Sequence, residues 1–255
     1  MTRWRRHDLV WLDATRADAF RAALADREAV AGWIAAGRPV VVTRHMPDAD
    51  PAAGIAAGFT LPDIATRRRV ALAFAPDAVL RHRAALAPGE VIDAAPPGWR
   101  ATLARLGASP PAGASVGVYG SLSTQAVSGE ACVRPSSDLD LIVDCADADA
   151  LRRALAWLAA LDATALPGAP RLDGEVRIDG RAVAWREAAQ ALAESFAATD
   201  SARKLPRSPP PDARADAPAP AGPTVLVKTD TAVALTGAQD WLHPPEAADD
   251  TRRAA

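Results

Sequence analysis

Apolar positions recur along this chain at two spacings, one that of strands and one that of helices. Residues 9–12 make a compact apolar run, Val40-Val41-Val42 makes a second, and Val70, Leu72 and Phe74 alternate with other residues, the period-two pattern of a strand with one buried face. Between the first two runs, Phe20, Leu24, Trp33 and Ile34 supply an intermittent helical face across residues 15–36, which predicts one helix or two, stopped by Gly37. Residues 46–58 lack periodicity and read as a loop, residues 58–62 as a turn, and a helix is expected from Asp77. Pro96-Pro97-Gly98 punctuates the chain before Trp99, Leu103 and Leu106, which share a helical stripe ending at Gly107.

The second half is patterned more strongly. A strand is expected over 115–119, a helical segment from Leu122, and a strand over 138–143. Asp147 suits the N-cap of a helix carrying Leu151, Leu155, Leu158 and Leu161 on one face, ended by Pro167 and Pro170. Residues 171–178 and 181–185 flank Asp179-Gly180, a pair that tolerates the positive φ values of a type I′ hairpin turn. A helix follows over 187–196. The proline-rich stretch 205–223 has no periodicity and is expected to be disordered or extended. Residues 225–228 and 232–235 close as a strand pair, and the tail, 244–255, is expected to fray.

These elements predict an α+β protein. Two domains are preferred at 255 residues. The Pro/Gly/Ser segment 108–113 has the composition of a linker, which sets out a smaller α/β N-terminal domain, 1–107, and a second domain, 114–243. A net charge of −2 supplies no bulk field towards nucleic acid or anionic lipid, so neither is expected as a partner. No apolar run approaches the roughly 20 residues of a membrane span, and there is no secretory apolar region. Cys132 and Cys145 do not form a short metal-ligand pair, so reduced thiols and a cytoplasmic setting are expected.

The candidate chemistry lies in residues 114–145. Asp138 and Asp140 alternate with the core residues Leu139 and Leu141, so both point to one face, about 7 Å apart along the strand. Two buried carboxylates side by side repel unless a cation sits between them, and magnesium suits such a pair because it takes one or two carboxylates plus substrate phosphates. A strand edge whose polar face meets water is the alternative. Asp144 has the same parity but lies about 20 Å from Asp138 along an extended strand, too far to share one metal. Gly120-Ser121, between a strand and a helix, adds a place where backbone can approach phosphate and where helix-start amides favour an anion. Ser121 as an ordinary helix-start residue is the competing account.

Gly120-Ser121 followed by Asp138-Leu139-Asp140-Leu141 resembles the motif of the nucleotidyltransferase superfamily. The interval between its halves is longer than usual there. Gly120-Ser121-Leu122, Gln125, Ser128-Gly129 and Ser137-Asp138-Leu139-Asp140 together resemble the malonate decarboxylase holo-acyl-carrier-protein synthases, or phosphoribosyl-dephospho-CoA transferases. The likeness takes in Arg5 to Trp11, Gly37 to Val41, Gly58 to Pro62, Leu172 to Glu175, Ala184 to Glu187 and Leu226 to Thr229, with Ser128 in place of threonine and Cys132 in place of an aromatic.

That resemblance implies a nucleotidyltransferase-like mixed sheet with flanking helices. It also implies transfer of the phosphoribosyl-dephospho-CoA unit from its triphosphate precursor, triphosphoribosyl-dephospho-CoA, to a serine of the malonate decarboxylase acyl-carrier subunit, with release of pyrophosphate. It implies Mg2+ on Asp138, Asp140 and a third carboxylate, Asp173 in preference to Glu175, with Gly120, Ser121 and Gln125 holding phosphates. Lys228 is a candidate to neutralise pyrophosphate, a solvated strand-end lysine being its alternative. Arg67-Arg68-Arg69 is a candidate docking surface for an acidic carrier, with a solvated face as the alternative, and His7 takes a structural role by default. Two other functions remain open: transfer of a nucleoside monophosphate from a nucleoside triphosphate, or a non-catalytic binding module.

Overall fold

Two six-stranded sheets divide the chain between them in a computed structural model that describes residues 4–44, 54–62, 68–204 and 222–243. The first sheet contains β1 (Leu9–Leu12), β2 (Phe20–Ala22), β3 (Val40–Val42), β4 (Ile55–Thr60), β5 (Arg69–Phe74) and β6 (Val79–Arg83), in the order β2-β5-β4-β3-β1-β6. Every pairing is antiparallel. Helix α1 (Arg27–Ala35) covers one face, where Trp33 stacks on Phe59 at 4.5 Å and donates its indole N–H to the Pro39 carbonyl at 2.8 Å. Gly37, at φ 69°, turns the chain out of α1 into β3, as expected.

Three expectations for this sheet are corrected. Residues 15–36 are not helical throughout: single 3₁₀ turns at 17–19 and 24–26 flank β2, whose Phe20 pairs opposite Phe74. Leu24, counted on the helical face, is 80% exposed. Residues 55–60 are a strand, not a loop and turn, because Ile55, Ala57 and Phe59 are all buried on one face and alanine had hidden the alternation. No helix starts at Asp77. A 3₁₀ turn at 76–78 leads into β6, an edge strand whose polar side chains are tolerated because one side of the strand meets solvent.

The second sheet follows helices α2 (Pro88–Val91) and α3 (Pro97–Ala108). It runs β7 (Ala114–Val118), helix α4 (Gly120–Ser128), β8 (Leu139–Cys145), helix α5 (Ala148–Ala163), β9 (Leu172–Ile178), β10 (Arg181–Ala184), helix α6 (Trp185–Lys204), β11 (Thr224–Lys228), β12 (Val233–Gly237) and helix α7 (Ala238–Leu242). Strand order is β12-β11-β10-β9-β8-β7; β8 and β9 are parallel, joined by α5, and the other pairs are antiparallel. Asp147 caps α5 by accepting from the Ala150 amide at 2.7 Å, and the four leucines expected on its face are buried. Asp179 and Gly180, at φ 49° and 74°, make the β9–β10 turn.

Val91, Trp99, Leu103 and Leu106 are buried in one core with Leu122, Leu141 and Leu151. Helix α3, placed in the first domain on composition, therefore packs with the second sheet, and the segment 108–113 joins two elements of one packing unit. The stretch 205–221 and the tail from 244 lie outside the described residues. Among the described residues no helix is long and apolar enough to cross a membrane. Cys132 and Cys145 are free thiols, the latter pushed up to about 12 by burial.

Candidate active site

Strand β7 delivers the chain into α4 through Tyr119 and Gly120. The Tyr119 amide donates to the Asp140 carbonyl at 3.0 Å, which fixes the turn against β8. Gly120 has φ 69°, and a Cβ there would stand 1.9 Å from Asp140 Oδ2. Only glycine lets the carboxylate lie over the helix start. No side chain caps α4, so its first amides keep the donor capacity that a helix N-terminus presents to an anion.

The three predicted carboxylates gather on two neighbouring strands. Asp138 immediately precedes β8, Asp140 is its second residue, and Asp173 of β9 is in register opposite Asp140. Arg171 clamps Asp138 with Nε at 2.8 Å and with Nη2, and the same Nη2 lies 3.5 Å from Asp173 Oδ2. Hydrogen bonding to Asp138 raises the Arg171 pKa, with further charge from Asp173 and Asp140. Nearby, burial and then the charges of Glu175, Asp140 and Asp173 push the Tyr119 hydroxyl well above its usual range. The donor set is all carboxylate oxygen, which suits a hard divalent cation. Among the described residues no three such side chains already converge as a cage; a guanidinium stands between two of them.

Asp144 chelates Arg177 at 2.5 and 2.8 Å and is separate from this group. Glu175, the alternative third ligand, is 6% exposed and bound to Arg6 at 3.1 Å, Lys228 at 3.0 Å and His7 at 3.7 Å. Burial alone would raise its pKa, but the close contacts of His7, Arg6 and Lys228 hold it well below the usual carboxylate range. Lys228 is thus engaged at Glu175 and does not line the pocket that holds Asp138 and Asp140. His7 has φ 75°, stacks on Tyr119 at 3.9 Å and is lowered in pKa by burial against the opposing pull of Glu175. Asp8 accepts from His82 at 2.7 Å within the first sheet, while Arg6 and His7 tie that sheet to the second through Glu175.

Gln125, expected to hold phosphate, has its amide engaged with backbone. Its Nε2 donates to the Ala94 carbonyl at 2.5 Å and its Oε1 accepts from the Cys132 and Val133 amides at 2.8 and 2.9 Å. It pins the long interval between the two motif halves. Ser121, Gly120, Asp138 and Asp140 line one cavity of about 560 Å³, closed on its other side by residues 57–62 and 69–71 of the first sheet. The sequence reading did not foresee that wall, nor the lining residue Arg134, for which a cation four residues before Asp138 was the available signal. The triple-arginine cluster does not form one basic surface among the described residues: Arg68 pairs with Asp26, Arg69 lines the cavity, and Arg67 lies outside them.

A helix start open to anions, carboxylates held beside it, and a cavity walled by the first sheet suit a transferase acting on a phosphorylated substrate, and known sequences agree on that class. The family described as phosphoribosyl-dephospho-CoA transferase MdcG matches in both parts, the N-terminal domain over residues 5–85 and the C-terminal domain over 80–209. A phosphoribosyl-dephospho-CoA transferase of Xanthomonas campestris pv. campestris is 38% identical across 80% of this chain and 94% of its own. One of Bradyrhizobium diazoefficiens is 36% identical across 71% and 80%, and one of Xanthomonas axonopodis pv. citri 34% across 80% and 94%. No solved structure matches. The chain belongs to the phosphoribosyl-dephospho-CoA transferase family.

Proposed function

We propose that this chain transfers the 2′-(5″-phosphoribosyl)-3′-dephospho-CoA group from its triphosphate precursor to a serine hydroxyl of the malonate decarboxylase acyl-carrier subunit. The serine oxygen bonds to the α-phosphorus, the bond to pyrophosphate breaks, and the serine proton is lost. The observation that carries this reading is the packing of Gly120 under Asp140, at a helix start inside the matched C-terminal family domain. The order β7, α4, β8, α5, β9, with Gly-Ser opening α4 and Asp-x-Asp at β8, supports a nucleotidyltransferase-like catalytic unit.

Gly120 and Ser121 hold phosphate oxygens at the start of α4, where backbone amides are presented without a competing side-chain cap. Asp138, Asp140 and Asp173 hold magnesium. When bound, that ion neutralises the triphosphate and polarises the attacked phosphorus. Arg171 releases Asp138 and Asp173 as the site loads, and its charge stays beside the polyphosphate. The cavity wall from the first sheet excludes water and holds the remainder of the substrate. Two free thiols suit a cytoplasmic enzyme.

Purified protein, magnesium, triphosphoribosyl-dephospho-CoA and apo carrier subunit should give a mass increase on one carrier serine. ATP or CTP in place of that substrate should give none. No adduct with the dephospho-CoA triphosphate, or labelling from ATP or CTP instead, would overturn the proposal.

A further inference from the structure

The cavity lining includes two arginines, Arg69 and Arg134. Arg134 is the unusual one. Its Nε and Nη2 are buried with no hydrogen-bond partner among the described residues. Neighbouring acids have other partners: Asp138 and Asp173 take Arg171, Glu130 takes Arg38, and Glu175 takes Arg6 and Lys228. Two guanidinium nitrogens of a half-buried arginine withdrawn from water and left unsatisfied are costly, and a protein retains them where something else will satisfy them.

The backbone around Arg134 is built to hold it there. Its amide donates to Ser137 Oγ at 3.0 Å, and the Ser137 amide donates back to the Arg134 carbonyl at 3.0 Å. The two preceding amides, Cys132 and Val133, are gripped by Gln125. The part of the interval between Ser121 and Asp138 that follows α4, residues 129–137, is therefore an anchored loop that brings a cation to the cavity, four residues before the first carboxylate.

We infer that Arg134 binds the triphosphate end of the substrate, donating Nε–H and Nη2–H to its phosphate oxygens, and that Gln125 and Ser137 position it. The inference rests on the proposed reaction for its substrate. The planar fork of a guanidinium matches two phosphate oxygens at once, which a lysine at the same place cannot do. Arg134 thus supplies the cation sought at Lys228.

The test is calorimetric binding of inorganic tripolyphosphate with magnesium to the full-length protein and to Arg134→Met and Arg134→Lys. Dephospho-CoA, which has the diphosphate bridge but no triphosphate, is the second probe. Arg134→Met should weaken tripolyphosphate at least about tenfold, the scale of losing one charge-assisted hydrogen bond, with Arg134→Lys in between and dephospho-CoA unchanged. The melting temperature of unliganded Arg134→Met should be equal or higher, since no bond is lost. Unchanged tripolyphosphate binding, a loss confined to dephospho-CoA, or a fall in melting temperature overturns the inference. Carrier labelling run on the same preparations separates the two ideas: labelling with Arg134-independent tripolyphosphate binding removes only the arginine's role. Arg134-dependent binding without labelling of the carrier removes only the proposed reaction.

Discussion

Replacing Gly120 by alanine probes the link between backbone and chemistry most directly. The residue sits at φ 69°, where an L side chain costs about 1–2 kcal/mol. The new methyl would fall 1.9 Å from Asp140 Oδ2, 2.8 Å from its Cγ and 3.1 Å from its Cβ. Every close atom belongs to one side chain, and a carboxylate can rotate away, so most of the overlap is relieved without moving backbone. Stability should therefore fall by little more than the backbone term, which for a chain of this size lowers the melting temperature by roughly 2–4 °C per kcal/mol. Activity should fall far more, by about a hundredfold or greater, because the rotated carboxylate no longer stands over the helix start. Carrier labelling rates and thermal melts on the same protein check both halves. Gly174→Ala is the control: its Cβ would lie 1.9 Å from the Leu141 carbonyl oxygen and 2.6 Å from the Leu141 nitrogen, atoms of a buried strand that cannot swing aside. That variant should fail to fold, although its nominal overlap is the same. Near-normal labelling by Gly120→Ala, or unfolding as complete as that of Gly174→Ala, would refute the reasoning.

Asp138→Ala and Asp140→Ala should each lower the labelling rate at least about a hundredfold with the fold kept, as for loss of one preorganised electrostatic group; near-normal rates in either would remove the site. Glu175→Ala should destabilise by about 3–5 kcal/mol, because it leaves Arg6 and Lys228 without their buried partner, and denaturant melts measure it. Glu175 also makes stability depend on pH. Its folded pKa is depressed, so its contribution is complete above the unfolded value near 4.3 and drains away as pH falls below that, a slope that Glu175→Gln should flatten. Gln125→Ala should lower both the melting temperature and tripolyphosphate affinity, since it frees the loop carrying Arg134; lost affinity at unchanged stability would restore it as a direct ligand.

The sequence by itself determined the elements whose pattern is local. Asp147 and its leucine face, the Asp179-Gly180 hairpin and the alternation in β5 are each written in a few consecutive residues, and all three stand as expected. The Gly120 and Asp138-x-Asp140 halves of the candidate site could be picked out for the same reason: each is a short motif on one turn or strand. The alanine-bearing β4 and polar β6 were not readable, because their strand character comes from the neighbours that pair with them. Tertiary structure alone decided between Asp173 and Glu175 as the carboxylate beside Asp140. Both lie on β9, two residues apart, but register sets Asp173 opposite Asp140, while the N-terminal motif and β11 bring Arg6, His7 and Lys228 onto Glu175. It also set the surroundings of Gln125 and Arg134. Gln125 meets three backbone partners and two guanidinium nitrogens of Arg134 meet none among the described residues, and partners contributed from across the fold are not encoded at either position.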